Sequence, residues 1–224
     1  MNRREFHSHT GLSSDGTWAP LEMIRCARDR RQTSIALTDH VGVSNVESIL
    51  EALKREREAA KAWTDIEVFI GVEITHVPTL LIAGVVQRAR RAGAEVILVH
   101  GETLAEPVEP GTNRAALNCP DVDVLAHPGL LSVEEAQLAA RNGIYLEISA
   151  RRGHCLTNGH VTQMAEPVGA LLIVNTDAHE PTDLINVETS LKIARGAGLS
   201  ETEAQRVVGE NTEALVQKIR KRAI

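Results

Sequence analysis

The chain has 224 residues, 43% of them hydrophobic and 24% charged, with a formal net charge of −6, which fits a soluble globular protein of one barrel-sized domain spanning 1–224. The negative balance, the lack of basic runs outside short helical segments and the scarcity of aromatics (Phe6, Trp18, Trp63, Phe69 and Tyr145) argue against a strong nucleic-acid surface. No apolar run has signal or membrane-spanning length, and Cys26, Cys119 and Cys155 form no Cys-x-x-Cys pattern, so reduced thiols in a cytoplasm and no membrane partner are expected.

The lead 3–6 reads as a first strand. It runs into Phe6-His7-Ser8-His9, where residues two apart face the same way, so His7 and His9 present two imidazoles side by side. Asp15 follows in a Ser-Ser-Asp-Gly turn, close enough to fold back and add a carboxylate. A His-x-His pair arises easily by chance in a chain with nine histidines, so it gains weight only if later strands deliver matching donors. A helix entered through Pro20 is expected over 21–31, then a strand over 34–38 ending at Asp39-His40. An amphipathic helix over 45–63 leads to a strand over 66–74 that carries Glu73 near its end. A helix over 80–92 and a strand over 95–99 follow, the strand ending in His100-Gly101-Glu102. After a loop over 103–112 and a short helix over 113–118, a strand over 122–126 ends in His127-Pro128-Gly129. Ser132 and Glu135 make a capping box for a helix that stops at Gly143. The strand over 144–149 carries Glu147 and is followed by Arg151-Arg152-Gly153-His154. A helix from about 158 to Gly169 precedes a strand over 171–175 that ends at Asp177-Ala178-His179, and helices over 183–197 and 201–222 close the chain. Seven strands alternating with helices imply a parallel sheet, most economically closed as an α/β barrel.

In such barrels the site lies at the C-terminal ends of the strands. Six of the seven expected strands end there on a metal-type donor, and independent core histidines would not sort themselves in that way. The set holds six imidazoles (His7, His9, His40, His100, His127, His179) and three carboxylates (Asp15, Glu73, Asp177). Nine donors suffice for two or three divalent ions, with a central glutamate able to bridge; mixed nitrogen and oxygen donors admit Zn, Mn or Fe. Such ions would stabilise an anionic substrate and acidify a bound water. Arg151 and Arg152 lie on the same rim, where a guanidinium fork suits phosphate, although two solvated loop arginines are the plain alternative. Glu147 reads equally as a hydrogen-bonded structural carboxylate or a catalytic one. Glu102 is a candidate hydrogen-bond partner for His100. Trp18 could roof the pocket or join the core; His76, His154 and His160 are left over from the donor set, His76 reading as a loop residue.

The His-x-His opening with its Ser-Asp-Gly, Leu37-Thr38-Asp39-His40, Gly71-Val72-Glu73, Ala126-His127-Pro128-Gly129 and Asn175-Thr176-Asp177-Ala178-His179 resemble the motifs of the PHP (polymerase and histidinol phosphatase) family. They stand in that family's order and span Phe6 to His179. The resemblance implies a distorted (β/α)7 TIM-like barrel with a trinuclear metal centre. By similarity, His7, His9, Glu73 and Asp177 would hold one ion, Glu73, His100 and His127 a second, and Asp15, His40 and His179 the third. Some members carry His where this chain has Asp15. The implied activity is metal-dependent hydrolysis of a small phosphomonoester by a metal-bound hydroxide. Glu73, Asp177 and His179 would serve in catalysis, and Arg151, Arg152 and His154 would contact substrate. Family members also include phosphodiesterase and exonuclease modules, which leaves nucleotides as the alternative substrate. An amidohydrolase of similar barrel would use a bridging lysine at the fourth strand, whereas all five lysines here fall in expected helices. A non-catalytic metal-stabilised module is the remaining alternative.

Overall fold

The computed structural model describes residues 1–222. Its strands are β1 (Arg3–Glu5), β2 (Gln32–Leu37), β3 (His40–Val41), β4 (Glu67–Ile74), β5 (Val96–His100), β6 (Val124–Ala126), β7 (Tyr145–Ser149) and β8 (Leu172–Asn175). They pair in parallel in the order β1-β2-β4-β5-β6-β7-β8, with β3 also on β4. β2 and β3 lie along one line: Leu37 pairs with Ile70 and His40 with Glu73 on the same neighbour. The sheet therefore has seven staves, as the alternation of elements implies. This register also sets two of the expected donors side by side.

Helices α1 (Pro20–Asp29), α2 (Val46–Ala60), α3 (Ile82–Arg91), α4 (Thr112–Leu117), α5 (Val133–Asn142), α6 (Asn158–Ala165) and α7 (Val187–Gly196) alternate with the staves, and α8 (Glu201–Gln205) and α9 (Thr212–Arg222) follow. Each long helix turns an apolar face to the sheet; α2, for example, buries Val46, Ile49, Leu50 and Leu53. Outward-facing strand residues such as Ile35, Leu37, Ile70, Val72, Ile97 and Val99 pack in that helix–sheet layer. The alternate residues Phe6, Ala36, Phe69, Leu98, Val124, Tyr145 and Ile173 fill the barrel, with Leu215, Val216 and Ile219 of α9 packed among them. Following the same alternation upward, Phe69 leads to Glu73, Leu98 to His100 and Tyr145 to Glu147, so the interior changes from apolar to ionisable along its axis.

Closure between β1 and β8 rests on little regular pairing. Ser8 and Ala178 form one parallel bridge, where His9 N donates to Ala178 O at 2.7 Å and Ala178 N to His7 O at 3.3 Å. Phe6 N also donates to Asn175 Oδ1 at 3.3 Å and Arg3 Nη1 to Val174 O at 3.1 Å, and buried Glu5 supplies most of the rest. Its Oε1 accepts from Phe6 N, His7 N and Thr176 N at 3.1, 3.0 and 3.1 Å, and its Oε2 from Thr176 Oγ1 at 2.8 Å and Arg3 Nη2 at 2.5 Å. One carboxylate thus clasps the two segments that carry His7 and Asp177.

The expected elements are present, with differences at ends. The first strand stops at Glu5, so His7 and His9 lie just beyond it. The helix expected from 183 begins at Val187 because Asn186 caps it, accepting from Thr189 N at 2.9 Å. Asp183 instead accepts from His179 N and Glu180 N, both at 3.0 Å, and so fixes the His179 loop. The last rod is interrupted by a widened π-helical turn, Arg206–Asn211, where the Thr212 hydroxyl bonds the carbonyls of Val208 and Gly209. The capping box at Ser132 and the left-handed stop at Gly143 (φ 61°) form as expected. Among the described residues no helix is long and apolar enough to cross a membrane.

Candidate functional site

The nine expected donors come together at the C-terminal ends of the staves. Four overlapping groups have donor atoms within 4.8 Å of one another: His7, His9 and Glu73; Glu73, His100 and His127; His7, His127 and Asp177; and His9, His40 and His179. Asp15 joins the last group, its Oδ2 lying 2.8 Å from His179 Nε2 and 3.3 Å from His40 Nε2. Glu73 sits between the groups. Its Oε2 lies 3.4 and 3.5 Å from Nε2 of His7 and His9, and its Oε1 lies 3.3 Å from Nε2 of His127. Asp177 Oδ1 is 3.5 Å from His7 Nε2 and 3.2 Å from His9 Nε2. Both His127 (φ 27°) and Asp177 (φ 50°) hold left-handed backbone, an unfavourable conformation for these residues that concentrates at functional sites. Gly129, directly after His127-Pro128, has φ 67°, and a Cβ there would fall 1.8 Å from Glu102 O, so only glycine lets the two loops meet.

The cluster is also a test of fit for a cation. Nε2 of His7, Nε2 of His9 and both oxygens of Glu73 are buried without an aligned hydrogen bond, and the nearest cationic group to Glu73 is the His40 ring, whose Nδ1 lies 2.8 Å from Oε2. Four converging orphan donors are destabilising unless something between them is positive. Separations of 3.2–3.5 Å are long for hydrogen bonds between such groups. They match the edges, about 3.0–3.4 Å, of a coordination shell with bonds near 2.1 Å. The residues present therefore fit divalent ions.

Neighbours fix which nitrogen of each ring faces inward. Glu147 Oε1 lies 2.8 Å from His7 Nδ1 while its Oε2 accepts from His127 N at 2.9 Å. Of the two readings of Glu147, the geometry favours a carboxylate that orients His7, a common support for a metal-binding imidazole. Gly101 O lies 3.1 Å from His100 Nδ1; His40 differs, since its Nδ1 lies between Thr75 Oγ1 at 2.7 Å and Glu73 Oε2 at 2.8 Å while its Nε2 faces Asp15. Asp39, adjacent to His40, points away from the cluster and accepts from Thr10 N at 2.6 Å and Ser13 Oγ at 2.7 Å. Ser13 Oγ in turn accepts from His40 N at 2.9 Å, which ties the His9 and His40 loops together. Glu147→Gln is expected to weaken metal binding by about 10–100-fold, the usual scale for such supports. Isothermal titration of the metal-free variant checks this; wild-type affinity would make Glu147 a spectator.

Burial opposes charge on Glu73, but the imidazoles of His7 and His40 outweigh it and hold the carboxyl well below the usual range. Asp177 is lowered in the same way by His7 and His9. Burial and the neighbouring His40 bring His9 down to about 3, leaving a neutral ring with a free lone pair. His40 itself, despite burial, is raised to about 10 by Glu73 and Asp15. An incoming ion must displace that proton.

Other expectations divide. Arg151 reaches the cluster: its Nη1 lies 2.6 Å from His179 Nδ1 and donates to Asp177 O at 3.2 Å. Arg152 is exposed and lines, with Arg151, Glu106 and Asp183, a cavity of about 520 Å³ beside the donors. His154, expected to contact substrate, is buried and turns Nε2 inward to 3.8 Å from Asp177 Oδ2. Trp18 and His76 are exposed, His76 stacking on His100 at 5.7 Å, and His160 bonds Leu131 O away from the site. Glu102 does not partner His100. Its Oε1 accepts from Gly111 N and Asn113 N at the start of α4, because the strand ends at His100 and the chain turns outward. Two residues carried no signal in the sequence: Glu5, whose place in a charged lead resembles a solvated strand end, and Glu106, in a loop without periodicity. A larger hollow of about 710 Å³ lies between the N-terminus and α8–α9 and holds none of the donors.

A sequence model described as PHP domain matches residues 5–118, more than half of the chain. The chain belongs to the PHP domain family. An uncharacterized protein of Methanocaldococcus jannaschii is 42% identical over 97% of this PHP chain and 100% of its own length. Ribonuclease P protein component 3 of Methanosarcina mazei is 27% identical over 98% of this chain and 92% of that protein. Among solved structures, a chain of an archaeal ribonuclease P with mature tRNA superposes with a TM-score of 0.72 at 16% identity, covering 96% of this chain and 91% of its own. Histidinol phosphate phosphatase from Lactococcus lactis, complexed with zinc, L-histidinol and phosphate, superposes with a TM-score of 0.62 at 13% identity, covering 89% and 95%. At these identities both structures speak to the fold: a nearly closed, seven-stave TIM-like barrel.

Proposed function

We propose that this PHP chain is a metal-dependent phosphoesterase acting on a small phosphomonoester. The observation that carries the reading is the set of buried, unpaired donor atoms converging on Glu73 beside the Arg151 guanidinium. His7, His9, Glu73 and Asp177 would hold one ion, Glu73, His100 and His127 a second, and Asp15, His40 and His179 a third; Zn, Mn and Fe all suit these donors. When bound, such ions polarise a phosphoryl oxygen and acidify water. The chain's own residues do the rest. Glu147 and Thr75 orient His7 and His40, and the Glu5 clasp sets the spacing of His7 to Asp177. Arg151 and Arg152 face the adjoining cavity and offer forked donors to the non-bridging oxygens of a terminal phosphate. Arg151 Nη1 lies 2.6 Å from His179 Nδ1 and donates to Asp177 O, so it would hold both ligands in place beside the substrate phosphate.

A second reading is favoured by relatives named as ribonuclease P protein components: a module that binds RNA or an RNA-containing assembly. It runs against the expectation of weak nucleic-acid binding. Initial rates on a phosphomonoester panel and on single-stranded oligonucleotides, with Mn or Zn supplied, decide between them. Monoester hydrolysis is expected to dominate. Faster oligonucleotide cleavage, or tight RNA binding without hydrolysis of any ester, would move the chain to the second reading. Arg151→Ala is expected to lower kcat/KM by about 10–100-fold, as for a lost charge-assisted hydrogen bond of about 1.5–3 kcal/mol, with metal content retained.

A further inference from the structure

Beyond the nine donors, two residues meet the same cluster from loops that nothing above assigns to an ion. His154, 3% exposed, follows β7, and Thr103 Oγ1 lies 2.9 Å from its Nδ1. Its Nε2 is left facing inward, the arrangement in which His7 and His100 are also held. The His154 ring packs against that of His127, tilted by 32° with centroids 4.2 Å apart. Glu106 stands midway along the loop from β5 to α4. That loop is tied down at both ends, by Thr103 N on Gly101 O at 2.9 Å and by Thr79 N on Glu109 Oε2 at 2.8 Å. The Glu106 carboxylate is 46% exposed yet turns to two imidazoles, Oε2 lying 3.4 Å from His100 Nε2 and Oε1 lying 3.7 Å from His154 Nε2. Among the described residues no Lys or Arg is paired with it.

These contacts extend the second group of donors into a ring. From Glu73 Oε1 to His127 Nε2 is 3.3 Å, from there to Asp177 Oδ2 3.7 Å, and on to His154 Nε2 3.8 Å. From His154 to Glu106 is 3.7 Å and from Glu106 to His100 is 3.4 Å. The ring closes because donor atoms of Glu73 and His100 lie within 4.8 Å. Separations this long serve poorly as hydrogen bonds; the steps of 3.3 and 3.4 Å match a coordination edge, and those of 3.7 and 3.8 Å exceed one by a few tenths of an ångström, which a shared ion would draw in.

We propose that Glu106 and His154 are further ligands of the ion held by Glu73, His100 and His127, raising that site from three protein donors to five, with Asp177, the sixth member of the ring, kept by the ion it shares with His7 and His9. The inference rests on the metal reading given under Proposed function. It carries a consequence for ion choice: five nitrogen and oxygen donors exceed the four that zinc commonly takes and suit an octahedral Mn or Fe with one position open.

The test uses metal-free full-length chain, with Mn, Zn and Co titrated against a competing chelator. Glu106→Gln and His154→Gln are compared with wild type by calorimetry and by the visible bands of the Co(II) form. Each variant is expected to bind one ion at least about 10-fold more weakly, a lower bound taken from residues one shell further out. The Co(II) bands should gain intensity as the coordination number falls. Glu106 is half exposed, so its glutamine variant reports even if His154→Gln fails to fold. Wild-type affinities and spectra in Glu106→Gln would overturn the proposal, as would an effect confined to KM, which would place the carboxylate on substrate instead. A wild-type chain that binds no ion sinks the metal reading itself, a distinct result.

Discussion

Glu73→Gln is expected to remove at least one ion per chain and to lower turnover by at least about 100-fold, the scale of losing one preorganised electrostatic contact in a reacting site. The reason is position. Glu73 turns one oxygen to His7, His9 and His40 and the other to His127, so a single carboxylate charge serves two groups of donors. The amide keeps the volume and can still pack against the surrounding rings. It loses the negative charge and places an N–H₂ donor where a lone pair is needed. Two measurements should move together: elemental analysis after incubation with Mn or Zn, and turnover on the best ester of the panel. The thermal midpoint of the metal-free form should change little, since the apolar fill around Phe69, Leu98 and Tyr145 lies lower in the barrel. Full metal content with full turnover in the variant would remove Glu73 from the centre.

The donors were legible in the sequence because each sits where local geometry repeats. A parallel strand delivers its last inward residue to one rim, and the two-residue period of His7-x-His9 and Asp177-x-His179 survives even though both pairs lie just past their strands. The supports were harder to read because they act across the barrel. Glu5 to Thr176 spans 171 residues and Glu147 to His7 spans 140, and no local pattern marks such partners. Glu102 misled for the opposite reason. It is near His100 in sequence, but the strand ends at His100, so the period that would have aimed both at one site no longer applies. Glu106 lies in a loop punctuated by Pro107 and Pro110, and only the fold brings that loop over His100 and His154. Helix ends drifted where a polar side chain had two uses: Asp183 could have begun a helix, but it is engaged by the His179 and Glu180 amides.

The same long-range logic makes Glu5 the position where a small change should destabilise most. Arg3 and Glu5 are 1% and 0% exposed, and they form a buried ion pair inside the β1 end of the barrel. The pair by itself is poor evidence of stability, since desolvation offsets its attraction, but removing one member leaves a buried charge alone and destabilises by about 3–5 kcal/mol. Glu5→Gln should therefore lower the thermal midpoint by about 6–20 °C, at about 2–4 °C per kcal/mol for a chain of this size. A double variant separates the ion pair from the clasp. Arg3→Met with Glu5→Leu removes both charges, which in a simple buried pair restores stability. Here it also strips the acceptor from the amides of His7 and Thr176, each unpaired N–H worth about 1–3 kcal/mol, and leaves Phe6 N only Asn175 Oδ1 at 3.3 Å. The double variant should remain well below wild type and should bind metal more weakly, because the spacing of His7 from Asp177 is no longer held. Recovery to wild-type stability and metal affinity would show that the Ser8–Ala178 bridge and the Phe6–Asn175 bond close the barrel without Glu5.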